Sequence, residues 1–249
     1  MKPFNYRNAS FLNYLVQKQL KPGEKLPKLR DISNELGISV GKLREQLEMA
    51  RHLGLVSARP RVGIQREHFD FSAVIRDAVL FSMATGEGTF AQFSQLRRST
   101  EVSLWADAVE RLTEQDKDEL KQLIEQAWQK LGGKPIHIPN REHKQLHLKI
   151  FSRLENPYAL GILETYWEAY EASELTRFSS LAYWVEVWKY HENIVKAICA
   201  GEVEQGRQLL IEHFSLLQTE PEVDVLQDRY LAQNRHLDPN QHSVNGREA

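Results

Sequence analysis

Along most of the chain apolar positions recur at helical spacing, and strand character is confined to one short segment. From 8 to 20, Phe11, Leu12, Leu15, Val16 and Leu20 return at helical intervals, and Pro22-Gly23 stops the run. A second helix fits 28–36 and ends at Gly37. Ser39 is placed to cap a third, which carries Leu43, Leu47 and Ala50 and stops near Gly54. LVSAR and GIQRE then have strand character on either side of Pro60, Arg61 and Val62, the pattern of a β-hairpin. Three helices and a hairpin within about 65 residues describe a winged helix-turn-helix.

Beyond Phe69 the period is helical almost throughout, predicting helices over 72–84, 89–111, 114–131, 140–154, 157–178, 180–200 and 202–218. Breaks fall at Gly86-Glu87-Gly88, at Gly132-Gly133 through Pro139, at Asn156-Pro157 and at Gly201. Short connections between long helices favour antiparallel neighbours. The expected fold class is therefore mainly α: an N-terminal winged helix-turn-helix over 1–68, then an all-helical antiparallel bundle over 69–220. After Pro221 the chain turns polar, and 221–249 reads as a tail without a core of its own.

Composition narrows the classes. With 249 residues, 41% hydrophobic and 27% charged, the chain can build sizeable cores, which excludes wholesale disorder. No apolar run approaches the roughly 20 residues that span a bilayer, so no membrane partner is expected. The start MKPFNYRNAS lacks an apolar h-region, and no signal peptide is expected. The one cysteine, Cys199, excludes an internal disulfide framework and a Cys-based zinc site, which fits a reducing cytoplasm.

The formal net charge of -2 hides a partition. Residues 1–68 carry 13 Lys and Arg against 6 Asp and Glu, whereas 69–249 carry 19 against 28. A polyanion should meet the basic N-terminal unit. There Ile32, Leu36, Ile38, Leu43 and Leu47 supply a small apolar seam, leaving the opposite face of the third helix, with Val40, Lys42 and Arg44, free to enter a major groove. Arg44 is the main candidate for a base edge, since its guanidinium can bind guanine O6 and N7 bidentately.

The stretch LKPGEKLPKLRDISNELGISVGKLREQLEMARHLGLV resembles the GntR family of bacterial transcription regulators. The likeness runs continuously from the helix exit at Pro22-Gly23 and the Leu26-Pro27 entry, through Gly37-Ile38-Ser39 in the turn and Leu43-Arg44-Glu45 and Leu47, to Gly54-Leu55-Val56. It implies a homodimer on a palindromic double-stranded operator, with Ser39, Val40, Lys42 and Arg44 at the reading helix. It also places Arg30 beside Arg44, and Arg59, Arg61 and Gly63 in the wing against phosphate or the minor groove. Many relatives carry Arg directly after the turn Ser and Pro two residues later; this chain has Val40 and Lys42. Val40 can only pack its methyls on a base such as thymine, so the operator is expected to differ from the commonest family sequence.

NREHKQLHLKIFSRLENPY and KYHENIVKAICAGEVEQGRQLLIEHF, together with QLRRSTE, resemble the FCD ligand-binding domain of the FadR-like branch of that family. The resemblance implies a metal ion held by a carboxylate and three histidines inside the bundle. Spacing argues independently for the same region. His143 and His147 are four residues apart and share a helix face. His191 lies ten residues before Gly201 and His213 twelve after it, so at about 1.5 Å per residue antiparallel helices bring them to a similar height. His143 stands where the family usually has Asp. Four nitrogens favour zinc first, then nickel or cobalt, over magnesium or calcium, and a filled tetrahedral zinc would leave no open position.

Arg97 and Glu101 occupy the positions where the family's first bundle helix has an Arg and a Glu four apart, and the resemblance implies a clamp for a small organic acid. The alternative is an intrahelical ion pair worth a few tenths of a kcal/mol. Trp105, Trp128, Trp167, Trp184 and Trp188 read as packing or dimer surface. The expected function is a metabolite-responsive, DNA-binding regulator rather than an enzyme. The alternatives are a regulator that senses the metal alone, or a metal-dependent hydrolase. Against hydrolysis, Lys144 follows His143 where an H-E-x-x-H site needs Glu, and no Gly-rich phosphate loop, nucleophile elbow or Cys nucleophile appears.

Overall fold

The structure, a computed structural model, describes residues 10–173 and 180–216. The tail expected over 221–249 and the last turns of two predicted helices lie outside the described residues. The chain divides into two compact units, Met1–Asp116 with His143–Ser173, and Lys117–Glu142 with Glu174–Ala249.

The first unit begins with α1 (Ser10–Lys18), α2 (Leu29–Leu36) and α3 (Val40–His52), followed by β1 (Val56–Arg59) and β2 (Gly63–Arg66). Phe11, Leu12, Leu15, Ile32, Leu43, Leu47, Ala50, Val56 and Ile64 meet in one core, with Leu36 and Ile38 packed at its edge. The turn between α2 and α3 depends on Gly37, whose φ of 64° lies in the left-handed region and lets its N–H and that of Ile38 donate back to the Asn34 and Ser33 carbonyls. The Ser33 hydroxyl closes the same turn on the Ile38 carbonyl at 2.6 Å. The antiparallel hairpin pairs Val56 with Arg66 and Arg59 with Gly63. It also gains a neighbour that the sequence pattern does not announce: Leu26 N–H donates to Ile64 O at 2.8 Å and Arg66 N–H to Glu24 O at 2.9 Å.

Next in this unit come α4 (Phe71–Thr85), α5 (Phe90–Ser103) and α6 (Trp105–Glu110); α7 (Glu114–Leu131) starts in it and continues from Lys117 in the second, and the chain returns to the first from His143 on α8 (Asn140–Phe151) through α9 (Pro157–Ala172). Asp70, Thr89 and Asn156 cap α4, α5 and α9, and Pro157 takes the first-turn position where a missing N–H costs nothing. The single helix expected over 89–111 is in fact two, divided at Leu104. No Gly or Pro marks the bend. The divided helix still buries Arg97, Glu101, Trp105 and Ala108 at helical intervals, so periodicity reads straight through it, and Trp105 seats edge-on against Phe151 at 6.3 Å. α4 and α5 both pack on α9. At Gly161 a Cβ would sit 2.6 Å from the Phe71 Cβ and 2.7 Å from the Ser72 nitrogen, so only glycine lets α9 approach the start of α4 this closely.

The second unit contains α10 (Leu181–Ala200), capped by Ser180, and α11 (Val203–Leu216). Gly201 at φ 74° ends α10, and the two helices pack along each other. Trp184, Val187, Trp188, Ile194, Ile198 and Leu210 are buried there.

A polar clip ties the start of α7 to α8. Asp116 is fully buried; its Oδ2 accepts from Thr113 N–H at 2.9 Å and Thr113 O–H at 2.7 Å, and Arg153 grips both carboxylate oxygens at 2.9 and 3.1 Å. Lys149 adds a contact at 2.7 Å. Arg153 first, and Lys149 next, hold the Asp116 carboxyl well below the usual carboxylate range. A depressed folded-state pKa contributes stability above the unfolded value near 3.9, and that stability is lost as pH falls through the acid range. Asp116→Asn is expected to cost about 1–3 kcal/mol at pH 7 and to flatten the acid side of the stability profile. Melting temperature followed from pH 7 to pH 3 for both proteins checks this.

Candidate functional site

Two regions carry the residues singled out from sequence. In the first, Ser39 accepts the Lys42 N–H at 3.2 Å and starts α3. Leu43, Leu47 and Ala50 turn inward, and Lys42, Arg44, Glu45 and Glu48 are left exposed, with Val40 half-buried. Arg30 on α2 is exposed, as are Arg59, Arg61 and Gly63 at the hairpin tip, where Arg61 and Gly63 both have positive φ, 64° and 94°. The exposed face of α3 is thus mixed in charge. Sequence reading passed over Glu45 and Glu48, although carboxylates can accept from cytosine N4. It also missed Gln46, whose Oε1 accepts the Phe11 N–H at 2.8 Å and so anchors the start of α1 to α3.

The second region holds the histidines. In the first unit, His143 and His147 lie one turn apart on α8, both buried, with ring centroids 5.2 Å apart. His147 Nδ1 is 3.0 Å from Glu101 Oε2, and Glu101 Oε1 accepts from Arg97 Nε at 2.7 Å. The Arg97 guanidinium lies over Tyr166 at 4.3 Å and near the Trp167 ring at 4.9 Å. Burial first, and the Arg97 charge second, push the His147 pKa well below its usual value, so the ring is neutral. Of the two readings of Arg97 and Glu101, the ion pair is present, but it is no surface pair: the side chains are 2% and 0% exposed. Tyr166 and Tyr170 were not anticipated. Their four-residue spacing marks a helix face, and that spacing is equally the mark of ordinary core packing.

In the second unit His191 on α10 and His213 on α11 face each other across the Gly201 turn with ring centroids 4.4 Å apart, as the matched heights require. Trp188 stands edge-on to His191 at 4.9 Å. Four of the five tryptophans are fully buried; the exception, Trp128, donates its indole N–H to Glu192 at 3.1 Å. His143, His147, His191 and His213, buried without exception, form a group able to hold a metal ion. Their chemistry suits one: four nitrogen donors, no oxygen among them, the set preferred by zinc, nickel or cobalt.

Comparison with known proteins agrees with both regions. Residues 10–65 match the bacterial regulatory proteins of the gntR family, and residues 92–216 match the FCD domain. The chain belongs to the GntR family, in its FCD-bearing, FadR-like branch. It is a DNA-binding transcription regulator, and the family is not one of enzymes. Among its relatives is the HTH-type transcriptional regulator LutR of Bacillus subtilis, 23% identical over 79% of this chain and 91% of that protein. Another is the putative L-lactate dehydrogenase operon regulatory protein of Escherichia coli, 25% identical over 82% of this chain and 80% of that one. Streptococcus agalactiae GntR shares the fold, with a TM-score of 0.55 at 14% identity over 83% of this chain and 94% of that one. No helix among the described residues is long and apolar enough to cross a membrane.

The helix that gives the DNA-binding domain its name starts from one side-chain cap. Ser39→Ala is expected to lower stability by about 1 kcal/mol, read as a shift in the urea midpoint with an unchanged slope.

Proposed function

We propose that this GntR-family regulator binds a palindromic operator as a cytoplasmic homodimer through residues 1–68, and that residues 69–220 hold a divalent transition metal and respond to a small carboxylate. The observation that carries the second half is the buried set of four histidines within the FCD match. One pair is presented by successive turns of α8 and the other by α10 and α11, and each pair alone supplies two imidazoles on one side of a helix or turn. His147 and its neighbours would hold zinc most naturally, with nickel or cobalt as the alternatives. Bound there, the metal supplies positive charge and a fixed point for helices that otherwise bury four polar rings. The chain's own contribution is to keep those rings dry and to hold His147 neutral and oriented.

On the DNA side, exposure of Lys42 and Arg44 on α3, with Arg30 nearby in sequence and Arg59, Arg61 and Gly63 at the hairpin tip, supports base reading by the helix and backbone contact by the wing. Ser39 and Val40 complete the reading end of α3. Arg44→Ala is expected to weaken operator binding by about 1–3 kcal/mol and relax base preference, whereas Arg61→Ala weakens all sequences evenly and lowers the salt slope by about 1. Fluorescence anisotropy on operator and scrambled duplexes at fixed salt separates the two. Unchanged affinity and specificity in Arg44→Ala rules out the assigned face.

The signal has two readings. The name of the Escherichia coli relative refers to an L-lactate dehydrogenase operon, and a metal beside a buried Arg suits a small organic acid, with Arg97 and Glu101 as its contacts. Against this, Glu101 already engages Arg97 at 2.7 Å, and four nitrogens can saturate zinc; both favour a metal that is itself the signal or purely structural. Elemental analysis of the purified protein should find about one transition metal per chain, and chelation should lower the melting temperature. A panel of carboxylates, lactate included, then decides. Under the first reading one acid stabilises the metal-loaded protein and shifts operator affinity by about 5- to 150-fold, an effect that Arg97→Ala abolishes. Under the second the panel is flat and only metal changes DNA binding.

A further inference from the structure

We infer that Glu101 is a positioning residue for His147, fixing which ring nitrogen that histidine presents to a metal. The inference rests on the reading of the four histidines as a metal site, and it gives Glu101 a different task from touching an organic acid. Glu101 stands on α5 between two partners, Oε1 accepting from Arg97 Nε at 2.7 Å and Oε2 lying 3.0 Å from His147 Nδ1. Arginine keeps its proton in proteins and only donates, so the group it pairs with here is a carboxylate, and a carboxylate only accepts. The hydrogen of the contact between Oε2 and His147 therefore sits on His147 Nδ1. A neutral imidazole with its hydrogen on Nδ1 has its in-plane lone pair on Nε2, which is then the nitrogen that can ligate.

Backbone position alone leaves this open. A histidine on α8 can turn about its terminal torsion and offer either nitrogen, in either tautomer. The carboxylate settles both choices, in the way outer carboxylates orient metal-bound histidines elsewhere. Glu101 is itself held in place: Arg97 is 2% exposed and lies over Tyr166 at 4.3 Å and near Trp167 at 4.9 Å, so the guanidinium is seated among rings on α9. Orientation thus passes from α9 through Arg97 and Glu101 to a single ring on α8.

The test uses the full chain, with zinc affinity from competition against a chelator and the absorption bands of the cobalt(II)-substituted protein as readouts. Two variants are compared with wild type. Glu101→Gln keeps an oxygen acceptor without the charge, and Arg97→Met with Glu101→Leu removes both buried charges together, leaving neither uncompensated. The double variant is expected to bind zinc about 10- to 100-fold more weakly and to show displaced cobalt bands, with Glu101→Gln in between. A folded double variant with zinc affinity within about twofold of wild type and unchanged cobalt bands overturns the inference and leaves the metal reading standing. Should the double variant not fold, Glu101→Gln is judged by the same criterion. If wild type takes up neither metal, the metal reading and this inference fall together.

Discussion

A guanidinium removed from water needs an anion and a face to lie on, and Arg97 dictates much of the first unit's interior by that need. Glu101, one turn along α5, supplies the anion, and α9 supplies the face through Tyr166 and Trp167. The second carboxylate oxygen then reaches His147. One of the aromatic rings that flank Arg97 also flanks the histidines of α8: Trp167 stands edge-on to His143 at 4.7 Å and lies 5.4 Å from His147. One buried charge is thereby coupled to three helices, and the neutral state of His147 follows from the same neighbourhood, through burial and the nearby cation.

The DNA-binding domain solves a different problem, since it is small and must hold a helix at its surface. Its core is a single cluster in which α1, α2, α3 and both strands each contribute a few side chains. What aims α3 is local chemistry around that cluster: the left-handed Gly37, the Ser33 hydroxyl closing the turn, and the Ser39 cap. Farther along the first unit, Gly161 brings α9 against Phe71 and Ser72 at the start of α4, so the helix that carries Tyr166 and Trp167 also abuts the segment that follows the wing.

Much of this was legible in the sequence because it is written at short range. The cap at Ser39, the breaks at Gly37, Gly86, Asn156-Pro157 and Gly201, and the hairpin around Pro60 to Val62 all depend on residues close to one another along the chain. The facing of His191 and His213 was also readable, since two helices joined at a known turn leave only a rise per residue to be counted.

What tertiary structure alone decided are the matters for which the chain carries no local mark. The bend at Leu104 keeps its buried face in phase, so periodicity reads through it. The Gln46 bond to Phe11 joins residues 35 apart, and the Asp116 clip joins a helix start to cations 33 and 37 residues later. Above all, a spacing of four made Arg97 and Glu101 a pair on any helix, exposed or buried. Whether that pair is a weak surface contact or a dry link to His147 depends on what excludes water from it, and the rings that do so lie on α9, some seventy residues further along the chain.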